Sequence, residues 1–319
     1  MRIKTAAITL LLFIFCLFNA SAEAGSIPVK VMVLTFYDMK DVVRVPLKYS
    51  LEIKRWYDKN FSDAEYYRIR NTNSYVYIKD GLAFMSVGAG KSKTVSSLSA
   101  LLKDARFDFC ETYFIVTGEA RVSPKTASTG SVCVADWALD SDYRAVTSKN
   151  GKRTIKTVKA GSIFKLNDQL VRWSIRLNEK TKFTDHPKAA KYRKQYKTPT
   201  AQLHPFIYRA ATVTSFSGGQ GEIFSQTAEK LCRNEKAGRY GALQSEDNAI
   251  AYVLKQSRHI DRLAVIRAVT NYDSAPQGGT KESSGAFAIG VINNYRAAAP
   301  LVSEIVGNWE RWKKGVPSI

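Results

Sequence analysis

The glycines of residues 81–91 form the stretch of this sequence that is best suited to binding an anion. Gly88 and Gly90 flank Ala89 in a turn that precedes a predicted helix. Backbone N–H groups in such a turn can point at a phosphate, and Lys91 adds positive charge beside them. A glycine turn is also a common way to reverse the chain, so a purely structural turn stays open.

A second glycine, Gly118, follows a predicted strand in what we expect to be another glycine turn. Its backbone N–H group is expected to face the same anion. The neighbouring Glu119 carries a negative charge that opposes a bound phosphate, and Arg121 can offset that charge or form an ion pair with it. The charges around Gly118 therefore count against phosphate at this position.

Acidic and amide side chains accompany two later elements. Glu246 and Asn248 stand at the start of a predicted helix, and Asn271 and Asp273 follow a predicted strand. Carboxylates are favoured in the first turn of any helix, and Asn and Asp are common turn residues, so both pairs have a structural explanation. Chemically, an Asn side chain can hydrogen-bond a base, but it cannot protonate a leaving group.

Short apolar strands alternate with longer helical patterns in the part of the chain that carries these residues. Residues 29–36 form an apolar run typical of a buried strand, and Asp80-Gly81, between residues 75–79 and 82–87, is a strong hairpin signal. This repetition favours an α/β fold with a parallel or mixed central sheet and helices on both faces. Further strands are predicted at residues 112–117, 130–136, 208–214, 240–243 and 263–269, and helices at 92–103, 168–177, 188–195, 222–232, 247–256 and 285–306.

The composition is that of a folded, basic domain. The 319 residues include 48 Lys and Arg against 28 Asp and Glu, for a formal net charge of +20, and 45% are hydrophobic. This balance excludes a disordered chain, and four cysteines are too few for a disulfide scaffold. We predict no metal site, because His and Cys do not cluster at metal-ligand spacing, and we expect Cys110, Cys133 and Cys232 to be buried free thiols.

Residues 1–24 have the parts of a Sec-type signal peptide. Arg2 and Lys4 give a positive start, an apolar run covers residues 6–18, and small residues then allow cleavage after Ala22 or Ala24. We therefore expect an exported protein, periplasmic or secreted, with one domain at residues 25–319. A retained membrane anchor is the alternative, although the run is short for a bilayer span.

Residues 142–200 differ from the rest of the chain in charge, since they hold sixteen Lys and Arg but four acidic residues. The segment has few long apolar runs and is predicted to be a basic insertion between two halves of the sheet. A run of positive charge is usually a solvated face, but an exported basic protein can also dock on an anionic envelope polymer. Nucleic acid is not among the expected partners.

Five segments in order carry a resemblance to known proteins: residues 81–91 (GLAFMSVGAGK), 113–120 (YFIVTGEA), 130–136 (GSVCVAD), 244–250 (QSEDNAI) and 267–273 (RAVTNYD). Together they resemble the nucleoside phosphorylases and methylthioadenosine-type nucleosidases. Within that superfamily, residues 244–249 and 267–276 are most similar to the purine nucleoside permeases of fungi and bacteria. The resemblance covers most of residues 29–310 and implies a nucleoside phosphorylase-like α/β fold.

The resemblance also implies roles for individual residues. Glu246 would hold the ribose 2′- and 3′-hydroxyls with hydrogen bonds that strengthen as the sugar becomes cationic. Asn271 stands where the nucleosidases have an Asp general acid, so either the substrate is like inosine or guanosine, or Asp273 takes over, or catalysis has been lost. The implied substrate-binding set is Gly88, Gly90, Gly118, Arg121, Asn248 and the base-stacking Phe216.

The first functional hypothesis is an exported purine-nucleoside-binding protein that also cleaves the N-glycosidic bond, as a nucleosidase rather than a phosphorylase. The alternative is a non-catalytic binding protein that serves nucleoside uptake with a membrane transport partner. A basic protein that binds envelope polymer is the second alternative. No cofactor is expected beyond phosphate as a co-substrate, and a homo-oligomer is implied by the superfamily alone.

Overall fold

The computed structural model describes residues 25–36, 53–142, 144–149, 152–157, 163–215, 222–276 and 286–319. The predicted signal peptide lies outside these ranges. The strands are β1 (Ile27–Pro28), β2 (Val31–Thr35), β3 (Glu65–Arg68), β4 (Tyr75–Lys79), β5 (Leu82–Ser86), β6 (Phe107–Asp108), β7 (Tyr113–Val122), β8 (Val132–Asp140), β9 (Arg144–Lys149), β10 (Lys152–Thr157), β11 (Ile163–Lys165), β12 (Ile207–Thr214), β13 (Tyr240–Gln244) and β14 (Leu263–Tyr272).

The α-helices are α1 (Lys91–Leu102), α2 (Asp168–Arg176), α3 (Pro187–Arg193), α4 (Glu222–Asn234), α5 (Asp247–Gln256), α6 (Phe287–Gly307) and α7 (Trp309–Trp312). A π-helix (Tyr57–Phe61) and two 3-10 helices (Pro199–Gln202 and Ile260–Arg262) accompany them. Among the described residues, no helix has both the length and the apolar character that a bilayer crossing requires.

A ten-stranded mixed sheet forms the centre of the fold, which confirms the predicted α/β class. Neighbouring strands follow the order β11-β8-β12-β13-β7-β2-β5-β4-β3, and β14 pairs with both β7 and β8. The central pairs β2–β5, β2–β7 and β7–β14 are parallel. Parallel strands are covered on both faces, which explains why β2 is buried at every position.

Five of these strands, β8, β12, β13, β7 and β14, close into a ring. Closure depends on β14, which pairs antiparallel with β8 and parallel with β7. The seam of the ring lies between β13 and β7, where Leu243 opposite Arg121 is the single register pair among the described residues. By contrast, the ladder between β14 and β7 extends from Leu263 opposite Phe114 to Tyr272 opposite Val122.

Helices cover the two faces of the sheet. Met32 and Leu34 of β2 belong to the buried core that also contains residues of α1 and α5, whereas Val31 and Val33 belong to the core that contains residues of α6. This division follows from the two-residue period of a strand, which sends successive side chains to opposite faces. The sheet is therefore a layer between two helical layers.

Helix α6 is fixed against β7 and β14 by close packing and by a buried amide. Asn294 Nδ2 donates to the carbonyl oxygens of Gly118 (3.1 Å) and Ile266 (2.8 Å). At Gly290, a Cβ atom would stand 2.7 Å from Thr270 Cγ2, so only glycine allows this approach. These contacts hold β7 and β14 rigidly where the candidate site lies.

The hairpin predicted at Asp80-Gly81 is confirmed. Lys79 of β4 pairs antiparallel with Leu82 of β5, and the two turn residues have φ angles of 53° and 80°. Positive φ at both central positions matches the twist of a two-residue hairpin. The hairpin is thus specified by local sequence alone.

The predicted glycine turn at Gly118 is wrong. Strand β7 continues through Gly118 to Val122, and β14 continues past residue 269 to Tyr272. The prediction ended the first strand where apolar residues give way to Gly, Glu and Arg. Pairing overrides that local signal, since Gly118 lies opposite Arg267 in the ladder and the ladder continues beyond it.

The second part of the basic segment packs into the fold. Strand β11 pairs antiparallel with β8, and Trp173 of α2 and Tyr192 of α3 are buried in two of the cores. Residues 144–149 and 152–157 form the antiparallel hairpin β9–β10. An insertion between two halves of the sheet stays a prediction for the segment as a whole.

The cysteines do not all have the predicted environment. Cys133 and Cys232 are buried free thiols, whereas Cys110 is free but exposed. Burial raises the pKa of the Cys232 thiol to about 12, so this thiol is chemically inert at neutral pH.

Candidate functional site

The glycine turn before α1 contacts a carboxylate of the protein itself. Gly88 and Gly90 have φ angles of 84° and 89°, a region in which glycine carries no steric penalty. The Gly90 N–H group donates to Glu246 Oε1 at 3.0 Å. The N–H group of Gly90 therefore contacts a carboxylate of this chain, from the start of α5, and phosphate binding by the turn stays a prediction.

Glu246 is positioned by the end of β13. Gln244 Oε1 accepts hydrogen bonds from the backbone N–H groups of Glu246 (2.6 Å) and Asp247 (2.8 Å), which satisfies two donors at the start of α5. The Glu246 carboxylate is thus not needed as a cap and turns towards Gly90. Burial raises the pKa of Glu246, while the charge of Arg267 and the hydrogen bond from Gly90 act in the opposite direction.

Arg267, in the middle of β14, connects Glu246 to the neighbouring strand. Its Nη2 donates to Glu246 Oε2 (3.2 Å), and its Nε and Nη2 both donate to Asp247 Oδ1. Its Nη1 donates to the carbonyl oxygen of Glu119 (3.2 Å), and its guanidinium lies 4.2 Å from the ring centre of Phe36. The guanidinium is 1% exposed, so these partners replace the water it has lost.

Hydrogen bonds continue from this cluster to Asn271. Thr270 Oγ1 donates to Glu119 Oε2 at 3.2 Å, and Asn271 Nδ2 donates to Thr270 Oγ1 at 3.4 Å. A register shift in β14 between Val269 and Asn271 reorients the strand at this point. The structure therefore brings Glu246 and Asn271 into one network, and the buried Asn271 Oδ1 has no hydrogen-bond partner.

Asp273 lies outside this network. Tyr240 OH donates to its Oδ2 at 2.9 Å, its Oδ1 has no hydrogen-bond partner, and the residue is fully buried. Burial raises the pKa of Asp273 to about 6, and hydrogen bonds from Ser225 and Tyr240 limit the rise. Asp273 thus has the pKa of a proton donor near neutral pH but no exposure to a ligand.

Lys91, predicted to add charge to a phosphate site, is held by carboxylates. Its Nζ lies 2.7 Å from Asp140 Oδ1 and 2.9 Å from Asp142 Oδ2. Ser215 Oγ also donates to Asp142 Oδ1 at 3.3 Å, so the group is tied to the end of β12. The positive charge beside Gly90 is therefore already compensated.

The remaining predicted site residues lie on different elements of the fold. Asn248 is 4% exposed and donates to the carbonyl oxygen of Ala138 (3.3 Å), so it links α5 to β8. Gly118 faces Arg267 across the ladder, and Arg121 pairs with Leu243 at the seam of the ring. Phe216 lies outside the described residues.

Sequence reasoning missed the residues that hold Glu246 in place. They are Asp247 and Gln244. The signal that could have shown them is a glutamine three residues before a helix start, which can accept from the first free N–H groups. Thr270 carried no such signal, because its contact with Glu119 depends on the pairing of β14 with β7.

Comparisons with known proteins agree with this architecture. The model of the family described as purine nucleoside permease matches residues 28–317. A Schizosaccharomyces pombe protein described as a "probable purine nucleoside permease" is 27% identical over 266 residues, which is 72% of this chain and 76% of that protein. The family match covers every strand of the central sheet.

Solved structures show the same fold. A 5′-methylthioadenosine/S-adenosylhomocysteine nucleosidase of Neisseria meningitidis, in complex with methylthio-immucillin-A, superposes with a TM-score of 0.58 at 14% identity, over 86% of this chain and 99% of that one. Isoform 2 of the uridine phosphorylase of Schistosoma mansoni superposes with a TM-score of 0.53 at 11% identity, over 88% and 87%. At these identities the likeness establishes the fold and nothing further.

Proposed function

Because the chain belongs to the purine nucleoside permease family, we propose that the cluster at the start of α5 binds a purine nucleoside. The observation that carries this proposal is the buried Glu246 carboxylate, which Gly90 and Arg267 hold in place. A carboxylate can accept about four hydrogen bonds. Two are used by these donors, and the remainder suit the two neighbouring hydroxyls of a ribose.

Asn271 is the group we assign to the base. Its Oδ1 is buried without a partner, and its Nδ2 makes one long hydrogen bond, to Thr270. An amide can donate to an acceptor of the purine and accept from an N–H group of the same ring. This pairing fits the hypothesis that the ligand is like inosine or guanosine.

The charges of the cluster favour a neutral ligand over inorganic phosphate. Carboxylates dominate it, and its two buried or half-buried cations, Arg267 and Lys91, are each shared between two of them. A phosphate would have to displace one of these ion pairs or approach Glu119 as well. If the protein cleaves its ligand, we therefore propose water as the acceptor.

A second candidate function is nucleoside binding without cleavage, as in uptake. The observation in its favour is Asn271, which cannot protonate a leaving base, together with Asp273, which is fully buried beside Tyr240. On this reading the exported protein would hand its ligand to a membrane transport partner. Export itself is proposed from the pattern of residues 1–24.

Calorimetric titration of inosine, guanosine and adenosine tests the site. Glu246→Gln should weaken inosine binding by about tenfold or more, since hydrogen bonds to a charged group contribute about 1.5–3 kcal/mol. The matched control is Glu179→Gln, an exposed glutamate after α2, which should leave the affinity unchanged. Equal affinities for the wild type and Glu246→Gln would overturn the assignment.

Chromatography of the same samples, with and without phosphate, separates the candidate reactions. Free base and ribose that appear independently of phosphate would establish a nucleosidase. Ribose 1-phosphate would show that the acidic cluster does not exclude phosphate. Intact nucleoside, in samples in which calorimetry detects binding, would favour the binding protein.

A further inference from the structure

A cavity of about 710 Å³ opens beside the glycine turn, between α1 and the residues that connect β3 to β4. Its walls include Phe36 and Gly88. Phe36 is the ring that contacts Arg267, and Gly88 belongs to the turn that holds Glu246. The cavity thus adjoins the proposed nucleoside site and shares two residues with it.

The cavity has the opposite charge to that site. Arg68 and Lys93 line it, and no carboxylate of the described residues does. Neither cation forms an ion pair with any described residue, in contrast to Lys91 and Arg267. Among the described residues, the lining thus holds two cations without an ion pair and without a carboxylate beside them, which attracts an anion.

The polar lining is arranged for hydrogen bonding. Ser86 is 7% exposed, and its buried Oγ has no hydrogen-bond partner. Asn, Thr and Ser side chains at residues 71–74 form much of the opposite wall. A buried hydroxyl without a partner is costly, so the lining is incomplete without a polar ligand or water.

The backbone of Gly88 fixes the position of Lys93. A Cβ atom at Gly88 would stand 3.1 Å from Lys93 Cβ and 3.3 Å from its Cδ, so the lysine stem lies directly on the glycine. This packing orders the stem and presents the ammonium group to the cavity. The glycine turn therefore contacts both sites: Gly90 donates to Glu246, and Gly88 packs against the stem of Lys93.

The spacing suits a single ligand that spans both sites. Gly88 and Gly90 are two residues apart, which limits the distance between their Cα atoms to about 7 Å. A ribose held by Glu246 would then lie close to the turn on which the stem of Lys93 packs. We propose that this cavity binds the phosphate group of a purine nucleoside monophosphate.

The choice of phosphate rests on the donors present. A guanidinium can contact two oxygens of a phosphate at once, and an ammonium adds a mobile point charge. A phosphate bound in the cavity would avoid the Glu246 cluster, where neighbouring carboxylates disfavour an anion. The inference rests on the proposed function, because the nucleoside part of the ligand would occupy the Glu246 site.

Calorimetric titration of inosine and inosine 5′-monophosphate at low salt tests the inference. The wild type should bind the monophosphate at least about tenfold more tightly, which corresponds to about 1.4 kcal/mol. The double variant Arg68→Gln/Lys93→Gln should lose this preference and keep its affinity for inosine. Lys103→Gln, at the end of α1 and outside this cavity, is the matched control and should retain the preference.

The outcomes separate the two proposals. Inosine binding that depends on Glu246, with no gain for the monophosphate, would overturn the phosphate cavity and leave the nucleoside site intact. A preference for the monophosphate that persists in the double variant would place the phosphate elsewhere and also overturn the inference. Absence of binding by every ligand would overturn both proposals.

Discussion

Glu246 and Asp273 are both buried carboxylates that closely follow strands of the central sheet, but their partners differ in charge. Glu246 contacts the guanidinium of Arg267 and a backbone N–H group, whereas Asp273 accepts from the hydroxyl of Tyr240 and has no cation beside it among the described residues. Burial raises the pKa of each. The cation beside Glu246 favours its charged, hydrogen-bond-accepting form, whereas Asp273, which has hydroxyl partners, exchanges a proton near pH 6.

Arg267→Met, which removes the cation that distinguishes Glu246 from Asp273, should cause the largest loss of stability. This change removes the buried cation and leaves the Glu246 and Asp247 carboxylates uncompensated. Loss of one partner of a buried ion pair typically costs about 3–5 kcal/mol, and we expect a decrease of that size in the free energy of unfolding, measured with urea. Arg172→Gln, which breaks an exposed pair with Asp168, should cost less than about 1 kcal/mol. A small loss for Arg267→Met would show that the cation does not stabilise the cluster.

Asp273→Asn should change how stability depends on pH. The folded pKa of about 6 lies above the unfolded value, so the stability contributed by the protonated form is complete below about pH 4 and is lost as the pH rises through 6. Relative to the wild type, the variant should gain about 2–3 kcal/mol between pH 4 and pH 7, measured as the difference in unfolding free energy. Parallel pH profiles for the two proteins would contradict the proton exchange assigned to Asp273.

Tyr240→Phe should change the free energy of unfolding by a smaller amount, and this change should also depend on the charge of Asp273. The variant lacks the hydroxyl that donates to Asp273 Oδ2. We expect a loss of about 1–2 kcal/mol at pH 8, where the carboxylate is charged, and a smaller loss at pH 4. Denaturant unfolding at the two pH values measures it, and an equal loss at both would mean that the hydroxyl does not stabilise the charged form.

Local patterns were enough to predict most of the fold. The continuous apolar run of β2, the Asp80-Gly81 hairpin and the start of α5 at Asp247 all follow from neighbouring residues. The role predicted for Glu246 comes from the resemblance alone, because a carboxylate at a helix start also has a structural explanation. The roles of the site residues stay predictions until the titrations above are made.

The partners of Glu246 could not be read from the sequence, because they arise from long-range pairing. Gly90 donates to Glu246 across 156 positions of chain, and Arg267 donates to it across 21. Long-range pairing also explains the wrong prediction at Gly118. A glycine locally favours a turn, but pairing with β14 keeps this residue within strand β7. Composition gives no hint of either contact.

The seam between β13 and β7 has a mechanical consequence. Backbone pairing there is confined to Leu243 and Arg121, so side chains must supply the stiffness that a full ladder would give. Glu246 and Asp247 closely follow β13, and Arg267 belongs to β14, which pairs with β7. The ion pairs of Arg267 with the two carboxylates therefore link the two sides of the seam. A ligand that contacts Glu246 and Asn271 would link the two sides of the seam further. Amide hydrogen exchange at the ends of β13 and β7 should therefore be slower in the bound protein than in the free protein.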